Sequence, residues 1–230
     1  MTFPYTLVDL THPLNENIST WNGRIGFEKK TVMDYSDQVD DIGFRIQKLT
    51  MFAGIGTHMD APSHCTPNAA TIDKFALEHL LAPCVVIDVS NKANAKFSMQ
   101  ADDVLAFEAE YGKIAKGSFV IVYTGWERFW NEPEKYRNDL KFPSVSRKAA
   151  ELLLQRNIVG LGIDTLSPDR PDDGFGVHQT LLGNGKYMIE NVANAKKLPF
   201  IGSFTMALPL KVQGGTEASV RLVGLIPVIL

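Results

Sequence analysis

Short runs of apolar and β-branched residues recur along the whole chain, and they limit the folds open to it. Six runs have the length and composition of strands: TLVDL near the start, FRIQKLTMF (44–52), CVVIDVS (84–90), SFVIVYT (118–124), IVGLGID (158–164) and VRLVGLIPVIL at the end. Several of them are almost continuously apolar. Such runs are typical of strands that are covered on both faces, so we expect other layers packed against the sheet.

Helical patterns lie between these runs. They are clearest in ADDVLAFEAEYG (101–112) and SRKAAELLLQRN (146–157), where apolar residues recur near helical spacing. Ser146 opens the second pattern and is a good helix N-cap. The residues that follow predict a short turn and then a strand that ends at Asp164. Strands that alternate with helices in this way predict an α/β fold.

The length of the chain is compatible with one large core. It has 230 residues, of which 45% are hydrophobic. No repeat, low-complexity tract or linker marks a boundary, so we expect residues 1–230 to form a single domain. The longest polar interval, Asn131 to Lys141, is interpreted as a surface insertion.

Charge and cysteine content argue against several classes of protein. The formal net charge is -3, from 23 basic and 26 acidic residues, which leaves no basic excess for a nucleic-acid partner. The two cysteines, Cys65 and Cys84, form no CxxC pair, so we expect neither a disulfide framework nor a thiolate zinc site, and a cytoplasmic protein fits best. No run approaches the ~18 apolar residues of a membrane helix, and no targeting segment is expected.

The stretch GIGTHMDAPSH (54–64) concentrates groups that bind metals or transfer protons. His58 and Asp60 are two residues apart, so on an extended strand end their side chains would point to the same face and form a pair of ligands. A proline after them would turn the chain so that His64 approaches the same centre. The alternative interpretation is a hydrogen-bonded loop in which Asp60 caps the following turn.

A second constellation is HQTLLGNGKYMIEN, in which His178 and Glu190 stand twelve residues apart. Both lie in apolar sequence, and a buried imidazole or carboxylate needs a partner. Glu190 alone could equally be an exposed acid at the end of a strand or the start of a helix. The pair therefore carries more weight than either residue alone.

With these blocks in place, the chain resembles the cyclase-type metal-dependent hydrolases, a family that includes bacterial kynurenine formamidase and isatin hydrolase. The family motif reads H-x-G-T-H-x-D-x-P-x-H. Six of its positions match here: Gly56, Thr57, His58, Asp60, Pro62 and His64. The blocks VDLTHPL, GLGIDTLSPD, HQTLL, IENVANAKKLP and PLKVQGGTEASVRLVGLIP follow the family's order, so the resemblance spans nearly the whole chain.

The resemblance implies a fold and a set of roles. The fold would be a single swivelling β/β/α domain, and the protein would form a homodimer or a higher homo-oligomer. His58 and Asp60 would bind metal, with Asp60 able to bridge two ions, and His178 and Glu190 would complete the ligand sphere. His64 matches the residue that acts as general acid and base in the family.

One position departs from the family motif, because Gly54 stands where the family has its first metal-binding histidine. Three consequences are open: a single metal held by the remaining ligands, a replacement ligand from elsewhere, or a weakened site. His12 is a possible substitute, but its THPL context resembles the family's own, so it is interpreted as structural or pocket-lining. His79 lies in a predicted amphipathic helix and is interpreted as a surface residue or one satisfied within that helix.

The leading hypothesis is a hydrolase that uses Mn²⁺ or Zn²⁺, as one or two ions, to cleave a C–N bond of a small amide, formamide or cyclic amide. The chain has no G-x-S-x-G elbow that would indicate a serine nucleophile. Trp21 and Phe52 are candidates to bind a small carbonyl substrate, although either could belong to the core. Two alternatives stay open: a non-catalytic binding protein that lost activity through Gly54, and a hydrolase of esters or lactones with the same site.

Overall fold

A computed structural model describes residues 3–37 and 42–228. Its strands are β1 (Tyr5–Asp9), β2 (Phe27–Met33), β3 (Ile46–Met51), β4 (His58–Asp60), β5 (Leu81–Asp88), β6 (Ser98–Met99), β7 (Phe119–Tyr123), β8 (Ser144–Val145), β9 (Gly160–Ile163), β10 (Tyr187–Glu190), β11 (Ser203–Pro209) and β12 (Glu217–Pro227). Its helices are α1 (Leu77–Leu80), α2 (Ala101–Tyr111), α3 (Pro133–Arg137), α4 (Arg147–Gln155) and α5 (Gly176–Leu181).

The main sheet closes on itself. Its order is β12-β11-β5-β7-β9-β10-β4, and β4 pairs back onto β12, which makes a seven-stranded, barrel-like ring. Strands β5, β7, β9 and β10 run parallel, whereas β4, β11 and β12 pair antiparallel with their neighbours. The remaining strand, β1, pairs with β12 outside the ring. The predicted α/β fold is therefore confirmed.

The parallel strands β7, β9 and β10 are buried on both faces, as a continuously apolar run predicts for β7 and β9. In β7, Phe119 and Ile121 belong to one apolar cluster, whereas Val120 and Val122 belong to another. The second cluster also contains buried residues of α2, α4 and α5, so these helices cover one face of the sheet. Each fully buried aliphatic side chain contributes roughly 1.5–3 kcal/mol.

The two predicted helices are present as α2 and α4. Ser146 caps α4, since its hydroxyl accepts a hydrogen bond from the Ala149 N–H at 3.2 Å. The helix predicted around His79 is a single turn, α1, in which only Leu80 is buried. In the described ranges, the structure has no helix with the length and apolar content needed to cross a membrane.

The interval 131–141 is only partly on the surface. Tyr136 is fully buried, and its ring packs edge-on against Trp130. Its hydroxyl donates to the Asp164 carbonyl at 3.0 Å and lies 2.9 Å from Asn191 Oδ1. The segment is polar because its exposed side faces solvent, but Tyr136 anchors it to the residues that follow β9 and β10. At the C-terminus, residues 229–230 of the last predicted strand run lie outside the described residues.

Candidate metal centre

Side chains from opposite ends of the sequence meet in a cavity of about 300 Å³ at one side of the ring. The walls are formed by residues 19–21, β4 with the segments before and after it, the loop after β9, the start of α5, the end of β10 and the start of β12. The lining residues with acidic or imidazole side chains are His58, Asp60, His64, His178, Glu190 and Glu217.

Strand register brings four of these side chains together. On β4, His58 and Asp60 project to the same face, and the intervening Met59 is fully buried in the apolar core. Glu190 of β10 stands opposite His58. Glu217 of β12 stands opposite Asp60 on the other side of β4. Strand β4 lies between β10 and β12, so candidate ligands from both neighbouring strands reach the side chains of β4.

The backbone before β4 orients the His58 ring. Its Nδ1 lies 2.8 Å from the Gly56 carbonyl, which also accepts from the Asn191 side-chain amide at 2.8 Å. Nε2 is turned inward, 3.4 Å from Asp60 Oδ1 and 3.5 Å from Glu190 Oε2. Gly56 has φ +61°, and a β-carbon there would overlap Leu14, so this turn requires glycine.

The His178 ring is held by Asp169. Oδ2 of Asp169 lies 2.7 Å from His178 Nδ1 and also accepts from the His178 backbone N–H, while Oδ1 accepts from the Val177 N–H. A carboxylate behind an imidazole fixes the Nδ1–H tautomer and leaves Nε2 free as a ligand. Here Nε2 faces Glu190, with 3.8 Å to its Oε1.

Two overlapping groups have ligand atoms within 4.8 Å of one another. We call His58, Asp60 and Glu217 the open cluster, and Asp60, His178 and Glu190 the buried cluster. Asp60 belongs to both, and its Oδ1 is a buried oxygen without a hydrogen-bond partner. An orphaned buried oxygen is costly, by about 1–3 kcal/mol or more for a charged group, and a cation would satisfy it. The donors are imidazole and carboxylate without thiolate, a set suited to a divalent metal.

The pKa values of several side chains in the open and buried clusters are strongly shifted. Burial opposes a charged imidazole at His58, but Asp60 and Glu190 outweigh it and raise the pKa of His58 to about 10. Burial and the nearby charge of Asp60 raise the pKa of Glu190 to about 7. The pKa of Asp60 is lowered, because the neighbouring histidines outweigh the effect of its burial. The site therefore retains protons at neutral pH that a metal ion would displace.

His64 lies at the mouth of the cavity, at the end of the turn Pro62–His64. Its side chain is 34% exposed, and Nδ1 is 3.4 Å from Glu217 Oε2. Hydrogen bonding to Glu217 raises the pKa of His64 above its ordinary value. The residue thus combines access to solvent with contact to the ligand clusters, as proton transfer requires.

The other predicted residues are distributed differently. Trp21 lines the cavity and contacts Phe175, with 5.9 Å between ring centroids. Phe52 is 51% exposed and is not among the lining residues. His12 stacks on Trp130 at 3.9 Å, outside the cavity lining, which supports its structural interpretation. His79 is an exposed residue of α1.

Sequence reasoning missed Glu217 and Asp169. Asp169 stands nine residues before His178, and a carboxylate near a candidate histidine ligand could have suggested a supporting role. Glu217 follows two glycines at the start of the last strand, but only the pairing of β12 with β4 brings it to Asp60. Neither residue carries a local signal as strong as the 54–64 motif.

Comparison with known proteins places this geometry in a family. Residues 8–170 match the family model Cyclase, described as putative cyclase. An isatin hydrolase from Roseibium aggregatum is 32% identical over 187 residues, covering 75% of this chain and 71% of that protein. A kynurenine formamidase from Bacillus thuringiensis is 26% identical over 225 residues, covering 94% and 95%. A crystal structure of an isatin hydrolase bound to the product analogue thioisatinate superposes with a TM-score of 0.88 at 27% identity, covering 98% of this chain and 94% of that one. The chain belongs to the cyclase family.

Proposed function

We propose that the protein is a metal-dependent hydrolase that cleaves a C–N bond of a small amide, formamide or cyclic amide with an activated water. One observation carries this proposal: two imidazoles and two further carboxylates converge on the buried Asp60, whose Oδ1 lacks a hydrogen bond, at the wall of a cavity large enough for a small molecule. The likeness to an isatin hydrolase and a kynurenine formamidase supports the same class of reaction.

The ligand groups fit a divalent cation. Both histidines turn Nε2 inward while Nδ1 is engaged by a carbonyl or a carboxylate. We propose Mn²⁺ or Zn²⁺, held by His58, Asp60, His178 and Glu190, as one or two ions. Asp60 is the residue through which two ions would be joined, because it belongs to both clusters. When bound, such an ion supplies Lewis acidity that acidifies a water and polarises a carbonyl.

His64 is the proposed general acid and base. It takes a proton from the attacking water as the oxygen adds to the carbonyl carbon. It returns the proton to the nitrogen as the C–N bond breaks, so the products are a carboxylic acid and an amine. Glu217, 3.4 Å from Nδ1, stabilises the protonated imidazole between these two steps.

A cysteine nucleophile is a poor alternative, because neither Cys65 nor Cys84 is among the residues that line the cavity. Burial and the negative charges of Asp60, Asp169 and Glu190 raise the pKa of Cys65. The thiolate is the reactive form of cysteine, and this environment disfavours it. The described residues therefore support attack by water more strongly than a covalent thioester route.

The cavity favours a compact, flat substrate. Trp21 and Phe175 contribute aromatic walls, and Leu166 adds an apolar surface. Phe175 lies next to the buried cluster, with 5.8 Å between its ring centroid and that of His178. A bound molecule would therefore place an apolar side against these rings and direct its carbonyl to Asp60 and His58. An ester or lactone has the same polarity, so an aryl lactone belongs among the test substrates.

Assembly and location are part of the proposal. The hairpin of β2 and β3 is exposed along almost its whole length, with Val32, Phe44, Ile46 and Leu49 each at least half exposed. An isolated two-stranded hairpin is marginally stable in water. We propose that a second copy of the chain covers it in a homo-oligomer.

The free thiols Cys65 and Cys84 fit a cytoplasmic protein, which we propose as its location. We also propose that residues 1–230 form one functional domain.

The test is a hydrolysis assay with isatin, N-formylated aromatic amines and an aryl lactone. We expect turnover of at least one amide substrate that chelator removes and Mn²⁺ or Zn²⁺ restores. Turnover that is indifferent to chelator and metal would overturn the metal mechanism. Saturable binding of these compounds to metal-loaded protein without any product would instead support a non-catalytic binding protein.

A further inference from the structure

The space beside Gly54 is filled by an acidic side chain from the other end of the chain. A β-carbon built on Gly54 would overlap Glu217 Oε1 and would lie 3.1 Å from both Glu217 Cδ and His58 Nε2. A side chain at position 54 would therefore enter the ligand cluster directly. Since the family motif has a histidine at this position, the Glu217 carboxylate lies where that histidine would begin.

Glu217 meets the requirements of a ligand. It is held opposite Asp60 by the β12–β4 pairing, and its ligand atom lies within 4.8 Å of those of His58 and Asp60. An independent observation points to a cation at the same place, because Asp60 Oδ1 is buried without a hydrogen-bond partner. The side chain of Asp60 is only 2% exposed, so water has little access to it.

We propose that Glu217 replaces the missing histidine as the third protein ligand of a metal ion in the open cluster, together with His58 and Asp60. This inference rests on the proposed metal-dependent function. It accounts for the ligand that is missing at Gly54: an imidazole at position 54 is replaced by the carboxylate of Glu217 on β12. Gly54 and Glu217 then depend on each other. A larger residue at position 54 would clash with Glu217, and Gly54 without Glu217 would leave the ligand position empty.

The exchange changes the metal preference of the open cluster. With the glutamate, the cluster offers one imidazole and two carboxylates. With a histidine at position 54, it would offer two imidazoles and one carboxylate. Carboxylates suit Mn²⁺, whereas imidazoles suit Zn²⁺ well. We therefore expect this chain to bind Mn²⁺ more strongly, relative to Zn²⁺, than a variant with the histidine arrangement.

The experiment measures binding of Mn²⁺ and Zn²⁺ to the metal-stripped full chain. Free Mn²⁺ is followed by its electron paramagnetic resonance signal, and Zn²⁺ by competition and elemental analysis. The variants are Glu217→Gln, Gly54→His, and the exchange Gly54→His with Glu217→Gly. Glu151→Gln, which changes an exposed glutamate of α4, is the matched control. Circular dichroism of the metal-free proteins checks that each variant is folded.

We expect Glu217→Gln to weaken Mn²⁺ binding in the open cluster by at least about tenfold, since even supporting residues around a metal site are worth 10–100-fold. Gly54→His alone should bind no better than wild type, because its side chain meets Glu217. The exchange variant should recover the binding that Glu217→Gln loses and shift its preference toward Zn²⁺. Such recovery is a non-additive effect that two independent sites would not show.

The outcomes separate this inference from the proposed function. If wild type binds metal and hydrolyses a substrate, while Glu217→Gln keeps wild-type metal affinity and stoichiometry, the ligand role is wrong and the hydrolase proposal stands. If Glu217→Gln lowers only kcat, Glu217 positions His64 instead of binding metal. If wild type binds neither ion and hydrolyses nothing, both proposals fail together.

Discussion

The open and buried clusters share Asp60 but differ in how the protein supports them. In the buried cluster, the side chains of His178 and Glu190 are 8% and 9% exposed, and Asp169 fixes the histidine from behind. In the open cluster, Glu217 is 24% exposed and pairs with His64 at the mouth of the cavity. The difference therefore lies in Glu217, which brings the open cluster to the mouth of the cavity, whereas His178 and Glu190 keep the buried cluster in the core.

This contrast also explains where the chain departs from its family motif. A change in the buried cluster would leave a charged group without its partner in the core, which is strongly destabilising. At the open cluster, a glutamate at the start of β12 can take the place of a histidine in the segment between β3 and β4, because part of the space is open to solvent. Variation is therefore easier to accommodate on the substrate side.

The largest effect should come from the residue that both clusters share. Asp60→Asn removes a negative charge from each group of ligands, so we expect metal content and hydrolysis both to fall to background. Elemental analysis and the amide assay measure the two quantities on the same preparation. Asp102→Asn, at an exposed site in α2, is the control and should behave as wild type. Retention of full metal content in Asp60→Asn would show that the clusters do not meet at this residue.

The next effect separates chemistry from metal binding. His64→Ala removes the proposed acid and base but no proposed ligand, so we expect kcat to fall by roughly 10²–10⁴-fold. Metal content should stay at the wild-type level. His79→Ala changes a histidine exposed on α1 and should alter neither quantity. A parallel loss of metal in His64→Ala would indicate that His64 is itself a ligand of the open cluster.

A smaller effect tests the support behind the buried cluster. Asp169→Asn keeps the shape of the side chain but removes the charge that fixes the His178 tautomer. We expect metal affinity at the buried cluster to fall by about 10–100-fold, while the open cluster keeps its affinity. Competition titrations with a metal indicator distinguish the two classes of site. An equal loss at both clusters would mean that they load as a single unit.

Much of the fold could be predicted from sequence because its core strands are continuously apolar. CVVIDVS and SFVIVYT correspond to β5 and β7, which are adjacent and parallel in the ring. Strands β2, β6 and β8 lie outside the six predicted runs. The hairpin strand β2 reads FEKKTVM and is largely exposed, while β6 and β8 are only two residues long. Their positions depend on pairing partners that local composition does not indicate.

The candidate site divides in the same way. The spacing of His58 and Asp60 predicts two side chains on one face of a strand, and the structure places them so on β4. Glu217 could not be predicted, because it reaches Asp60 only through the closure of the ring by β4 and β12. Phe52 is aromatic and close to the motif in sequence, but its side chain is half exposed and is not part of the cavity lining. Spacing in the sequence therefore predicted which site residues lie together on one strand, but not which residues of other strands join them.

The last two predictions concern pH, where the expected changes are gradual. In the metal-free protein, the pKa of Glu190 is raised from 4.5 to about 7, and the pKa of His58 is raised from 6.5 to about 10. The folded protein therefore holds these protons at pH values where the unfolded chain has released them. The stabilisation is complete below the unfolded pKa values and is lost as pH rises, so the Tm of metal-free protein should fall from about pH 5 upward. Glu190→Gln should flatten the part of this decline between pH 4.5 and about 7.

Metal binding should show the opposite dependence, because the ion displaces the same protons. We expect affinity to rise with pH by up to about tenfold per unit for each proton displaced, and titration calorimetry in buffers of different ionisation enthalpy counts those protons. In Glu217→Gln the release should persist if the ion is then held by the buried cluster, where Glu190 loses its proton. An affinity that is constant between pH 6 and 8, with no proton released, would contradict the proposal that His58 and Glu190 are ligands. Counting the released protons in Glu190→Gln and in Glu217→Gln assigns each proton to the cluster that releases it.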